Sequence, residues 1–136
     1  MTLAELLALL RRELIEYPGL VFAVLFGSWA RNRVRPDSDV DVAFLPAGDW
    51  TLSLELDLQA RLTRALGKSV ELVRLDQAPL LLGWEVVKHG LLVSGDADSF
   101  AQYQARVALE HADAAPLIER AARHYARRIA ELGVPS

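Results

Sequence analysis

A chain of 136 residues with 52% hydrophobic content can bury a core without covalent staples, and the absence of cysteine rules out disulfides and thiolate metal sites. The net charge of −3 argues against whole-surface attraction to nucleic acid, and no apolar run approaches the roughly 20 residues of a membrane span. The expectation is one domain over 1–136 (core about 1–95, C-terminal helices about 97–132), cytoplasmic, with no membrane contact and no direct nucleic-acid binding.

Residues 3–16 carry Leu3, Leu6, Leu7, Leu10 and Ile15 at helical spacing, and Thr2 three places before Glu5 reads as a capping box, so this is an amphipathic helix rather than a signal peptide. Tyr17-Pro18-Gly19 ends it. The run LVFAVLF, 20–26, is a strand bounded by glycines, and Gly27-Ser28 is the turn out of it, with Ser28 as N-cap of a short helix over 29–32. Pro36 and its Asp and Ser neighbours form a loop before a second strand at 39–45. A helix over 51–66 follows, through Leu54, Leu58, Leu62 and Leu66, with Gly67 as C-cap. A strand at 69–75, a helix at 78–88 and a short strand at 91–94 complete an alternating pattern. From Asp96 to Leu132 the chain is helical, with an apolar stripe of Phe100, Tyr103, Val107, Ala112, Leu117, Ala121, Tyr125 and Ile129. Pro116 would cost about 3 kcal/mol inside an unbroken helix, so two helices or one kinked helix are expected.

The chemistry concentrates in one stretch. Asp39 and Asp41, two apart on a strand, point to one face while Val40, Val42 and Phe44 point to the other. At roughly 6.5 Å and an effective dielectric of about 20, their repulsion is on the order of 2.5 kcal/mol, which a proton, an arginine or a divalent cation must offset. Taken alone, Asp-x-Asp is also an Asx-type turn with Asp41 on a solvated edge. Gly27-Ser28 stands where a strand gives way to a helix, a place suited to phosphate, and Arg31, Arg33 and Arg35 supply cationic donors or a solvated charged loop. Glu71, between Val70 and Leu72, either faces solvent or joins the two aspartates across a sheet. Three carboxylates beside a phosphate cradle are what two-metal phosphoryl or nucleotidyl transfer requires.

Gly27-Ser28, ten residues, Asp39-Val40-Asp41 and then Val70-Glu71-Leu72 resemble the minimal nucleotidyltransferases of the DNA polymerase beta-like superfamily, in particular the antitoxins paired with HEPN toxins. The resemblance spans almost the whole chain. It implies an α/β (α+β) nucleotidyltransferase fold: a small mixed sheet flanked by helices, with a C-terminal helical segment. It implies transfer of AMP from ATP to a tyrosine of a partner HEPN ribonuclease toxin, with Mg²⁺, or Mn²⁺ in its place. Residue by residue, it places the triphosphate on Gly27 and Ser28 with Arg31 as the arginine of the motif, and the metal on Asp39, Asp41 and Glu71, which are also the catalytic residues. Asn32 stands where that motif often has glycine, a change that asparagine's tolerance of left-handed backbone permits. Two alternatives share the fold: an antitoxin that neutralises by binding alone, and a nucleotidyltransferase acting on a small molecule.

Other features have simpler readings. Arg106 and His111 show an R-x4-H spacing that a charged helix face explains, His89 reads as a cation at a helix end, Trp29 as core and Tyr125 as packing.

Overall fold

The computed structural model describes the backbone of residues 1–35, 37–111 and 115–131, and the side chains of these residues except 115–118 and 129. The elements run α1 (Leu3–Leu14), β1 (Leu20–Phe26), α2 (Gly27–Ala30), β2 (Val40–Pro46), α3 (Leu52–Leu66), β3 (Val70–Arg74), α4 (Leu80–His89), β4 (Leu91–Gly95), α5 (Ala97–Leu109) and α6 (Ala115–Glu131).

The strands form one mixed sheet in the order β3-β2-β1-β4. β1 is antiparallel to both β2 and β4, whereas β2 and β3, joined through α3, are parallel. This topology has a consequence for chemistry: the end of β1 and the starts of β2, β3 and β4 all lie at one end of the sheet.

β1 is apolar throughout because both its faces are covered. Ala23 and Leu25, with Val40, Val42 and Phe44 of β2, pack under α1 and α3 against Leu6, Leu10, Leu58 and Leu62. Phe22, Val24 and Phe26, with Ala43, meet α4 and α5 through Trp84, Val86, Val87, Phe100 and Tyr103. The expected alternation along 40–44 is therefore present, and the aspartate at position 41 shares the α4 and α5 side.

Local chemistry sets the boundaries. The Thr2 hydroxyl accepts the Glu5 N–H, Thr51 accepts that of Leu54, and Gly67 closes α3 in the left-handed region at φ +64°. Asp96 caps α5 by accepting from the N–H groups of Asp98 and Ser99. One expectation fails here. The short helix starts at Gly27, with extended Phe26 as its N-cap, so Ser28 lies inside the first turn and caps nothing.

The C-terminal segment is two helices. α5 ends at Leu109 and α6 opens at Ala115, which puts Pro116 in a first turn, where its missing N–H removes no bond. Of the expected stripe, Phe100, Tyr103, Val107 and Ala121 are buried and Tyr125 is half-buried; Ala112 and the side chains of Leu117 and Ile129 lie outside the described residues. α6 is clasped to α5 at Asp98, which meets His124 Nε2 at 2.8 Å and Arg128 at 3.5 Å. The R-x4-H pair is taken up in packing: Arg106 lies 5.2 Å over the Tyr103 ring and His111 stacks on Trp84 at 3.8 Å. Trp29 is core, as expected. Among the described residues no helix is long and apolar enough to cross a membrane.

Candidate active site

Three residues stand abreast at the common end of the sheet. Phe26 pairs with Asp41 and Asp41 with Glu71, so the last residue of β1 and one acid from each of β2 and β3 form a row. The chain turns away after Phe26 at Gly27, where φ is +72° and a β-carbon would run into the Asp41 carboxylate. Glycine is thus required twice, for the left-handed backbone and for the space the acid occupies.

Asp41 and Glu71 are register partners on adjacent strands, and a protonated Asp41 carboxyl can hydrogen-bond Glu71. The Asp41 carboxyl is pushed up to about 6, first by burial, then by that bond, and then by the charges of Glu71 and Asp39. β2 begins at Val40 rather than 39, so Asp39 sits at the lip of the strand and is exposed, acting on Asp41 through its charge. Val40 N–H donates to the Ser69 carbonyl at 2.9 Å, which fixes the start of β2 beside the start of β3.

Ser28 is half-buried in α2 next to the turn, and Arg31 is the exposed C-cap of α2, its N–H donating to the Gly27 carbonyl. Asn32 takes a left-handed φ of +56°, as its place in the motif anticipates. The loop before Asp39 is tied by Ser38, whose Oγ accepts the Arg35 N–H at 2.7 Å. Among the described residues no carboxylate pairs with Arg31, Arg33 or Arg35.

His89 differs from its sequence reading. It ends α4 beside the site, and burial first, then Arg31, Lys88 and Arg120, hold its pKa below the ordinary value. At neutral pH it is an uncharged imidazole rather than a cation at a helix end. The signal lay in its position immediately before the glycine that leads into β4.

Among the described residues no three His, Cys, Asp or Glu side chains are gathered into a ready-made ion site. Asp41 and Glu71 meet, and Asp39 reaches them through space. The donor chemistry fits a hard divalent cation, because adjacent carboxylates on neighbouring strands offer oxygen ligands whose mutual repulsion a cation relieves.

Residues 10–98 match the polymerase beta nucleotidyltransferase family, and the chain belongs to that family. Within it, the chain is 34% identical over 73 residues to the protein adenylyltransferase MntA of Shewanella oneidensis; the match covers 54% of this chain and about half, 52%, of that relative's length. The fold superposes on a toxin-antitoxin crystal structure with AMP-PNP at a TM-score of 0.61 and 26% identity, covering 98% of this chain and 97% of the other. It also superposes on an MNT antitoxin in complex with the tri-AMPylated HEPN toxin of Shewanella oneidensis, at a TM-score of 0.54 and 25% identity, covering 96% and 92% of the two chains.

Proposed function

We propose that this nucleotidyltransferase is an antitoxin that transfers AMP from ATP to a tyrosine of a partner HEPN-type ribonuclease toxin and so silences it. The row of Phe26, Asp41 and Glu71 beside Gly27 carries the reading, because it sets paired carboxylates against a turn shaped for close backbone approach. The neighbours with AMP-PNP and with an AMPylated toxin support adenylate as the group transferred and a HEPN protein as the acceptor.

In this reading Gly27 and Ser28 hold the triphosphate and Arg31 neutralises part of its charge. The tyrosine oxygen attacks the α-phosphorus, the new O–P bond forms as the bond to the β-phosphate side breaks, and pyrophosphate leaves. The phenolic proton passes to the carboxylates of the site, where Glu71 stands beside Asp41. Mg²⁺, which Asp39, Asp41 and Glu71 would hold, supplies charge neutralisation at the phosphates when bound. Repetition of the transfer, as in the tri-AMPylated neighbour, adds further AMP units to the acceptor.

The test is intact-mass measurement of the protein encoded beside this chain after incubation with it, ATP and Mg²⁺. Stepwise gains of AMP that vanish with Asp41→Ala are expected; an unchanged mass with the wild-type chain sinks the reading. The exposure of Asp39 favours one second reading, neutralisation by binding alone. An Asp39→Ala, Asp41→Ala double variant that protects cells as well as the wild type would establish it.

A further inference from the structure

Beyond the carboxylates, the same end of the sheet opens into a second depression that no step above uses. A recess of about 220 Å³ lies between the start of β4, α5 and α6. Leu92, Phe100 and Ala101 give it an apolar floor with one aromatic ring, and the amide of the buried Gln104 adds a polar group. Gln104 Nε2 donates to the Val87 carbonyl at 3.3 Å, and the same amide carries an oxygen able to accept from the 6-amino group of an adenine.

The rim is cationic and aimed. Arg120, His124 and Arg127 follow i, i+4, i+7 spacing on α6, so they share the helix face that lines the recess. That face is held in place because His124 is tied to Asp98 of α5. Asp98 also takes Arg128, while among the described residues no carboxylate pairs with Arg120 or Arg127. An apolar floor, one buried amide and two arginines make a seat of nucleotide chemistry: a base below, a phosphate at the rim.

Its position relates it to the carboxylates. Leu25 pairs with Val42 on one side and Leu91 on the other, so Gly90, which lines the recess, stands level with Asp41. With strands about 4.8 Å apart, β4 lies roughly 10 Å from β2 across the sheet, about the reach of one nucleotide. His89, the last residue of α4, precedes Gly90 at this end of the sheet.

We propose that this recess seats the AMP unit already attached to the partner, with its base on Phe100 and Gln104 and its phosphate on Arg120 and Arg127, so that its ribose hydroxyl meets the next ATP. The inference rests on the AMP-transfer reading and adds to it the residues that decide how many units are transferred. The ribose oxygen attacks the α-phosphorus of the second ATP, the O–P bond forms, pyrophosphate departs, and the hydroxyl proton goes to the Asp41–Glu71 pair and on to water. The first transfer, with a tyrosine as acceptor, does not use the seat.

The full chain and an Arg120→Ala, Arg127→Ala double variant are compared by time-resolved intact-mass spectrometry of the partner, alongside calorimetric titration with the dinucleotide adenylyl-adenosine while AMP-PNP holds the ATP site. Both arginines are exposed and, among the described residues, take part in no ion pair, so the variant should keep its melting temperature. Expected are an unchanged first addition, at least a tenfold slowing of the second and third, and dinucleotide affinity lowered by a similar factor. Equal slowing of every addition would make the recess part of the ATP site and overturn the proposal, as would unchanged later additions. A wild-type chain that stops at one AMP overturns the seat and leaves the transfer reading intact; no transfer at all removes both.

Discussion

At the scale of single residues, Asp41 is held in a place that does not favour its charge. With no cation, its carboxyl titrates near 6 rather than in the ordinary carboxylate range, chiefly through burial. The folded chain therefore keeps a proton that the unfolded chain has lost between about pH 4 and 6, so this group's contribution to stability falls as pH rises through that window and is level above it. Asp41→Asn keeps the shape and offers Glu71 an N–H. Calorimetry without divalent cations should show the variant melting a few degrees above the wild type at pH 7.5 and converging with it near pH 4.5, given roughly 3–5 °C per kcal/mol for a domain of this size. Added Mg²⁺ should raise the melting point of the wild type and leave that of the variant unmoved. Gly27→Ala makes the opposite trade. A left-handed backbone costs an L residue roughly 1–2 kcal/mol, and the new methyl displaces Asp41, so both melting temperature and AMP transfer should drop. Normal transfer by Gly27→Ala would mean that the turn does not need the close approach described.

The elements succeed where their local signals agree with their packing. Thr51, Gly67 and Asp96 are legible as caps because a single side-chain oxygen or a left-handed residue suffices to end or begin a helix. Thr51→Ala should cost about 1 kcal/mol of stability in urea unfolding and leave AMP transfer intact, since α3 packs on the side of the sheet away from the carboxylates. The run from Leu20 to Phe26 is legible for a different reason: a strand covered on both faces has no polar positions to blur it. Ser28 shows the limit. A serine after a glycine reads as an N-cap, yet the extended conformation of Phe26 starts the helix one residue earlier, and that choice belongs to the strand pairing rather than to the serine.

On the scale of the whole molecule, the sheet is the scaffold that brings distant segments to one end. Phe22 is fully buried and its ring lies 5.3 Å from Phe100 and 6.0 Å from Tyr103, so it couples the sheet to α5, on which α6 and the cationic rim are mounted. Phe22→Ala should cost about 3–5 kcal/mol in equilibrium unfolding and, through looser seating of α5, should also change the ratio of later to first AMP additions.

By itself the sequence determined the order and type of the elements, the split into two C-terminal helices around Pro116, and the four residues Gly27, Asp39, Asp41 and Glu71 on which the proposed chemistry rests. These follow from periodicity, caps and motif spacing, which are local or nearly so. What only the tertiary structure decided was pairing: that Asp41 stands between Phe26 and Glu71, that Asp39 stays at the exposed lip, that His89 is uncharged, and that Arg120 and Arg127 rim a recess level with Asp41. Each of those depends on which strand lies beside which and how deeply a group is buried. The register of β1 between β2 and β4 joins residues far apart in the chain, and no local pattern encodes it.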